Sequence, residues 1–117
     1  MKKTTLALYV SAFVAAACGS ATSVDAALAT YCDRDAACIG TATSEEIAAC
    51  KKKNSGFDKQ LKTECVSAYA QYYECEIAFA TCTNKVTSID QAKVAASCKT
   101  AADQAVKCQP LPDGFPG

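Results

Sequence analysis

The residues of this 117-residue chain that are best placed for chemistry are its nine cysteines. Cys18 directly follows an apolar run, and the other eight all lie downstream, at Cys32, Cys38, Cys50, Cys65, Cys75, Cys82, Cys98 and Cys108. Eight is an even number and suffices for four disulfides. The chain has no histidine and no C-x2-C pair, which argues against a zinc site and a thioredoxin-type motif. We therefore expect structural disulfides in an oxidising compartment, with no metal and no cofactor.

The acidic residues offer no convincing catalytic pair. Three close pairs occur, at Asp33/Asp35, Glu45/Glu46 and Glu74/Glu76. Residues i and i+2 of a helix point roughly 200° apart, so the first and third pairs do not converge. Glu45 and Glu46 suit the start of a helix. Because histidine, the most common general base, is also missing, we do not expect an enzyme.

The N-terminus has the three parts of a secretory signal over residues 1–17. Lys2 and Lys3 form the charged start, an apolar stretch runs from Leu6 to Val14, and Ala15-Ala16-Ala17 forms the small-residue end. The apolar stretch is shorter than the roughly 20 residues needed to span a bilayer. We expect this segment to be removed.

The junction Ala15-Ala16-Ala17-Cys18-Gly19 resembles the lipobox of bacterial lipoproteins, although Ala15 stands where that family most often has leucine. The resemblance implies that Cys18 is lipidated and that residues 18–23 tether the domain to a membrane. Gly19, in place of an aspartate, implies sorting to the outer membrane. The alternative is ordinary cleavage after Ala21 or Ala26, which would give a secreted protein without Cys18.

Composition limits the remaining chain to one small domain with little net charge. Without Lys2 and Lys3, ten basic and twelve acidic residues remain. A nucleic-acid-binding protein needs a basic face, so no nucleic acid is expected as a partner. A chain of this length buries a limited core, which makes disulfides useful for stability.

The spacing of apolar residues and caps predicts an all-α fold, a disulfide-stapled bundle of about four helices within residues 24–109. The predicted helices run from Val24 to Cys38, from a capping box at Thr43/Glu46 to Lys53, from Asp58 to Thr83, and from Ser88 to Cys108. Residues 110–117, which contain three prolines, are predicted to form a loose tail.

The third predicted helix carries two apolar stripes, so it should contact more than one neighbour. The first is a heptad seam of Leu61, Cys65, Ala68, Tyr72, Cys75, Phe79 and Cys82. The second consists of Val66, Tyr69, Tyr73, Ile77 and Ala80.

The cysteine spacing predicts disulfides between the third and fourth helices. The short connection at residues 83–87 makes these helices antiparallel neighbours, in which facing residues have a constant sum of positions. The positions of Cys65 and Cys108, and those of Cys75 and Cys98, have the same sum, 173. We therefore predict Cys65–Cys108 and Cys75–Cys98. This arrangement resembles the twin C-x9-C hairpin of the coiled-coil-helix domain family over about 44 residues, in geometry alone.

The other four cysteines are assigned by the turn near Gly40. Cys32 and Cys50 face each other across this turn, which leaves Cys38 for Cys82. The first helix would then run parallel to the third. Pairing Cys38 with Cys50 and Cys32 with Cys82 is the alternative, and spacing alone leaves it open.

One group of residues could bind a small apolar ligand. Tyr69, Tyr72, Tyr73 and Ile77 form an aromatic and aliphatic group on the third helix. The simpler interpretation is that they belong to the core. A carrier would need them to line a pocket between helices.

Together these features are similar to those of small cysteine-rich bacterial lipoproteins. The resulting hypothesis is a non-enzymatic envelope protein, tethered to the membrane through Cys18, that is structural or binds an envelope or extracellular macromolecule. The alternatives are a carrier of a small apolar ligand, or a secreted toxin-like effector if Cys18 is not retained.

Overall fold

A computed structural model describes residues 22–116, which form a mostly helical fold with one small sheet. The elements in chain order are α1 (Val24–Ile39), α2 (Ser44–Lys53), a 3-10 turn (Asp58–Gln60), α3 (Thr63–Ala78), β1 (Ala80–Thr83), β2 (Val86–Ile89), α4 (Gln91–Ser97) and α5 (Lys99–Cys108). The all-α prediction is therefore correct for most of the domain but wrong at the two strands. The predicted signal peptide and Cys18 lie outside the described residues. Within residues 22–116, no helix combines the length and hydropathy of a membrane span.

The first two helices begin and end where their capping residues predict. The Thr43 hydroxyl accepts a hydrogen bond from the Glu46 amide at 3.2 Å, as in a capping box. Gly40 follows α1 with φ +80°, a left-handed conformation that costs glycine little. The turn between α1 and α2 allows the Cys32–Cys50 disulfide to join them.

The third predicted helix is too long at both ends. Asp58 does not cap it. Its Oδ1 instead accepts a hydrogen bond from the Val24 amide at 2.9 Å, at the start of α1. The Asp25 carboxylate accepts bonds from the Gly56 and Phe57 amides in return. The 3-10 turn and the extended residues Leu61 and Lys62 then separate Asp58 from α3.

At its other end, α3 stops at Ala78 and the chain forms a β-hairpin. Ala80 pairs with Ile89 and Thr83 with Val86. Asn84 and Lys85 form the two-residue turn with φ of +52° and +63°. Such turns match the twist of a hairpin. The β-branched residues near the turn favour a strand over a helix, although Phe79 and Cys82 fit the heptad spacing.

The fourth predicted helix is two helices. Asp90, rather than Ser88, caps α4 and accepts a hydrogen bond from the Lys93 amide at 3.1 Å. The helical path is interrupted at Cys98, which is buried and bonded to Cys75 on α3. Neither proline nor glycine occurs at this break, so local sequence gives no signal for it.

Helix α3 contacts both α1 and α5. Cys65–Cys108 and Cys75–Cys98 hold α3 antiparallel to the α4–α5 segment. On the other side, Tyr69, Tyr73 and Ile77 belong to a buried cluster with Val24, Ala27 and Leu28 of α1. The prediction that the two apolar stripes of α3 contact two neighbours is therefore confirmed. The stripe that contains Tyr69 and Tyr73 forms the main core.

The C-terminal tail, predicted to be loose, packs onto this core. Phe115 is 9% exposed, and its ring lies 5.1 Å from that of Phe57 and 6.1 Å from that of Tyr69. The Phe115 amide also donates a hydrogen bond to the Pro112 carbonyl at 3.3 Å. Phe115 therefore anchors a segment that otherwise consists largely of prolines, glycines and polar residues.

Candidate functional site

The four disulfides join Cys32–Cys50, Cys38–Cys82, Cys65–Cys108 and Cys75–Cys98. These are the pairs that the spacing argument gives, and the alternative exchange of partners among the first four cysteines does not occur. Their Cα–Cα distances of 5.5–5.9 Å are ordinary for disulfides. The prediction that Cys82 belongs to the third helix was wrong, because Cys82 lies in β1.

The predicted ligand surface is divided between the core and a half-buried position. Tyr69 and Tyr73 are 1% and 2% exposed and Ile77 is 5% exposed. Tyr72 is only half-buried and borders a shallow cleft with Val94 and Ala102 of the α4–α5 segment. The four residues therefore do not line one common pocket.

The tail of the chain satisfies the buried tyrosine hydroxyls. Tyr69 donates a hydrogen bond to the carbonyl oxygen of Gln109, and Tyr73 donates one to that of Pro116. Phe115 fills the space between Tyr69 and Phe57. The C-terminal segment thus occupies the position that a ligand would need in order to contact these two tyrosine rings from the same side.

Glu76 is the most unusual ionisable residue of this region, because it is only 8% exposed. Its Oε2 accepts a hydrogen bond from the Tyr72 hydroxyl at 2.9 Å, one turn earlier on α3. The sequence analysis considered Glu76 only as a partner of Glu74, and the i, i+4 spacing of Tyr72 and Glu76 was the signal that could have indicated their contact.

Burial and this carboxylate affect the neighbouring phenols. Desolvation, followed by the hydrogen bond and the negative charge of Glu76, raises the pKa of Tyr72 to about 12. Desolvation is also the largest cause that raises the pKa of Tyr73, and the charge of Glu76 adds to it. Burial raises the pKa of Tyr69. All three side chains stay protonated at neutral pH, so none of them can act as a base there.

A surface cleft of about 270 Å³ opens beside Glu76. Its walls come from α1, α3, β2 and the tail, and consist of Leu28, Tyr31, Asn54, Tyr73, Glu76, Ile77, Ile89 and Pro116. Pockets for drug-sized ligands usually measure about 300–1,000 Å³. The cleft is therefore suited to a small group or a side chain more than to an acyl chain.

A second cleft, of about 320 Å³, lies between α1 and the hairpin. It is lined by Arg34, Ala37 and Cys38 of α1 and by Ala80, Thr81, Cys82 and Thr87 of the hairpin. The Arg34 guanidinium donates a hydrogen bond from Nη1 to the Ile77 carbonyl at 2.9 Å, in the last turn of α3. This places a positive charge near carbonyls that a helix end leaves unpaired. The sequence analysis missed Arg34, which no local pattern distinguishes.

The acidic residues form no group that could hold a metal ion within residues 22–116. Asp33 pairs with Lys51 at 2.9 Å, which supports the contact between α1 and α2. Asp35 accepts a hydrogen bond from the Thr87 hydroxyl at 2.8 Å and so fixes β2 against α1. These carboxylates therefore have structural contacts.

Comparisons with known proteins gave no relative. A scan of protein families, a search of curated proteins and a search of solved structures each found no match to this chain. The function must therefore be argued from the chain's own residues.

Proposed function

We propose that this chain is an exported protein of the bacterial cell envelope with a non-enzymatic role, either structural or in binding another macromolecule. Four disulfides are consistent with an exported protein, because such bonds persist in oxidising compartments. The signal-like residues 1–17 and the lipobox-like Cys18 support a lipid anchor in the outer membrane. In this proposal the membrane is a partner through Cys18 and the second partner is an envelope or extracellular macromolecule.

The packing of the tail favours a structural or macromolecule-binding role over that of a ligand carrier. Phe115 and the backbone of Gln109 and Pro116 occupy the contacts of Tyr69 and Tyr73 that a carried ligand would use. A carrier in which the chain itself fills this site would have to expel its tail first. A binding surface on the outside of a rigid, stapled domain needs no such rearrangement.

A carrier of a small ligand is the second candidate, because the cleft beside Glu76 includes Tyr73 and Ile77 of the predicted surface. Its volume restricts the cargo to a small molecule. A secreted effector is the third candidate and requires that the mature chain lack Cys18.

Native mass spectrometry of the protein purified from its own host, combined with cross-linking in intact cells, separates these roles. The proposal predicts a ligand-free domain in the native spectrum and a discrete cross-linked species of higher mass in the envelope fraction. The cross-linked species should be lost in Cys18→Ser, which removes the anchor, and retained in Ser20→Ala, which alters the adjacent tether. A stoichiometric small molecule on the purified domain, without a cross-linked species, would establish the carrier instead.

A further inference from the structure

The four disulfides differ in how far their cysteines are buried. Three of them include a cysteine that is almost fully buried, namely Cys32 at 2% exposed, Cys65 at 0% and Cys98 at 1%. Cys38–Cys82 is different, because Cys82 is exposed and Cys38 is only half-buried. Thiol–disulfide exchange requires a thiolate to reach a sulfur atom, so access controls its rate. Exposure therefore favours reaction at this one bond.

The surroundings of Cys38–Cys82 also favour its cleavage. Both cysteines line the cleft of about 320 Å³ between α1 and the hairpin, which is large enough for a small thiol. Arg34 lines the same cleft and precedes Cys38 by four residues, so both lie on one face of α1. A neighbouring guanidinium lowers the pKa of a thiol and makes the thiolate a better leaving group.

We propose that Cys38–Cys82 is a thiol-exchange site that reacts with a small dithiol before the other three disulfides. One thiolate of the dithiol attacks the exposed Cys82 Sγ, the Sγ–Sγ bond breaks, and Cys38 leaves as a thiolate beside Arg34. The second thiolate of the reagent then attacks its own sulfur in the mixed disulfide and releases the Cys82 thiolate. The dithiol is oxidised to a cyclic disulfide, and its two electrons and two protons convert the cystine into two thiols.

Cleavage would remove the covalent link between the hairpin and α1 without opening the core. The hydrogen bond between Thr87 of β2 and Asp35 of α1 would remain across this junction, and the Arg34–Ile77 hydrogen bond would still join α1 to α3. The other three disulfides still join α1 to α2 and α3 to the α4–α5 segment. The expected product is a folded domain in which the hairpin has no covalent link to α1 and Cys38 and Cys82 are accessible thiols. This inference rests on the exposure of one disulfide and is independent of the proposed function.

Graded reduction of the folded full chain tests the proposal. The chain carries Cys18→Ser, so that all thiols come from reduced disulfides, and is treated with limiting dithiothreitol, quenched with iodoacetamide and mapped by peptide mass spectrometry. The expected first product has two alkyl groups, on Cys38 and Cys82, formed at least about tenfold faster than any other pair, with unchanged far-UV circular dichroism. Labelling of all eight cysteines together, or of another pair first, would overturn the proposal.

Substitution of Arg34 tests whether its positive charge promotes the departure of the Cys38 thiolate. Arg34→Gln should slow the first reduction step severalfold, whereas Arg34→Lys should retain most of its rate. The matched control is Lys51→Gln, which removes a positive charge next to Cys50, a residue of another disulfide. It should leave the rate of the first reduction step, at Cys38–Cys82, unchanged. An Arg34→Gln rate equal to that of the parent chain would refute the role of Arg34 in the exchange.

Discussion

At the scale of single residues, Phe115 is the core residue that the sequence analysis missed, because residues 110–117 were predicted to form a loose tail. Its ring is 9% exposed and contacts Phe57 and Tyr69. Phe115→Ala should lower the free energy of unfolding by about 3–5 kcal/mol, because it removes buried apolar surface and leaves a cavity. Urea unfolding with intact disulfides, followed by circular dichroism, measures this change.

Leu111→Ala is the matched control for Phe115→Ala, since Leu111 lies in the same tail but is 43% exposed. It should change the free energy of unfolding by no more than about 0.5 kcal/mol. Equal and small effects of the two substitutions would show that the tail does not pack onto the core.

The buried tyrosines predict a loss of stability at high pH. The folded state raises the pKa of Tyr72 to about 12 and also raises that of Tyr73, whereas an unfolded tyrosine has a pKa of about 10. Folding therefore favours the protonated phenols. Their contribution is fully present below pH 10 and is lost progressively as the pH rises through the folded-state values.

Urea unfolding of the Cys18→Ser chain between pH 8 and 11.5 measures this dependence without free thiols at the start. Tyr72→Phe/Tyr73→Phe should show a shallower decline in the free energy of unfolding than the parent chain. A decline of the same steepness in both proteins would mean that these phenols do not cause it.

Residue spacing predicted Cys65–Cys108 and Cys75–Cys98, because a disulfide depends on two positions and on the path between them, and it left one alternative open for the other four cysteines. It did not predict the burial of Glu76 or the half-buried position of Tyr72. A carboxylate on an amphipathic helix is normally placed in solvent, and only the contact with Tyr72 reveals why this one is not.

At the scale of elements, the β-hairpin is the largest departure from the predicted helices. Lys85 occupies a left-handed backbone conformation with φ +63°, which is unfavourable for a residue with a Cβ atom. Lys85→Gly should raise the free energy of unfolding by about 1 kcal/mol because glycine fits this turn position. Thermal unfolding at fixed pH checks the direction.

Lys93→Gly is the corresponding control in a helix. Lys93 lies within α4, where glycine is less favourable than lysine, so this change should lower the free energy of unfolding by up to about 1 kcal/mol. If Lys85→Gly destabilises the protein as Lys93→Gly does, residue 85 is not in a left-handed turn.

Caps and stop signals predicted the first two helices well and the third and fourth poorly. Thr43 and Gly40 act through contacts within a few residues, so the local sequence contains the whole signal. Asp58 has the same capping chemistry but bonds to Val24, 34 residues away. No local pattern distinguishes these two uses of an aspartate.

The junction between α3 and α5 shows the same limitation. Gln109 follows α5, yet its Oε1 accepts a hydrogen bond from the Lys62 amide at 2.7 Å and its Nε2 donates to the Gln60 carbonyl at 3.1 Å. This side chain therefore completes the start of α3 from the end of another helix. The Cys65–Cys108 disulfide holds the two ends in position for these bonds.

At the scale of the whole molecule, four covalent links connect the elements of a small domain. Each disulfide can stabilise a fold by about 2–4 kcal/mol, chiefly by restricting the unfolded chain. The predicted antiparallel pairing of α3 with the α4–α5 segment is present because two disulfides and the β-hairpin between these helices determine it together. The position of the tail could not be predicted, since it depends on contacts that exist only in the assembled core, namely the packing of Phe115 and the hydrogen bond from Tyr73 to the Pro116 carbonyl.

The proposed function requires a four-disulfide domain that is exported and held in the envelope through Cys18. Its most direct test is the intact mass of the mature protein from its native host, measured with and without reduction. The account predicts a chain that begins at Cys18, carries added lipid mass, and gains the mass of eight hydrogen atoms on reduction of its four disulfides. A lipid-free chain that begins after Ala21 or Ala26 would contradict the anchor, and a smaller gain on reduction would contradict the four-disulfide domain.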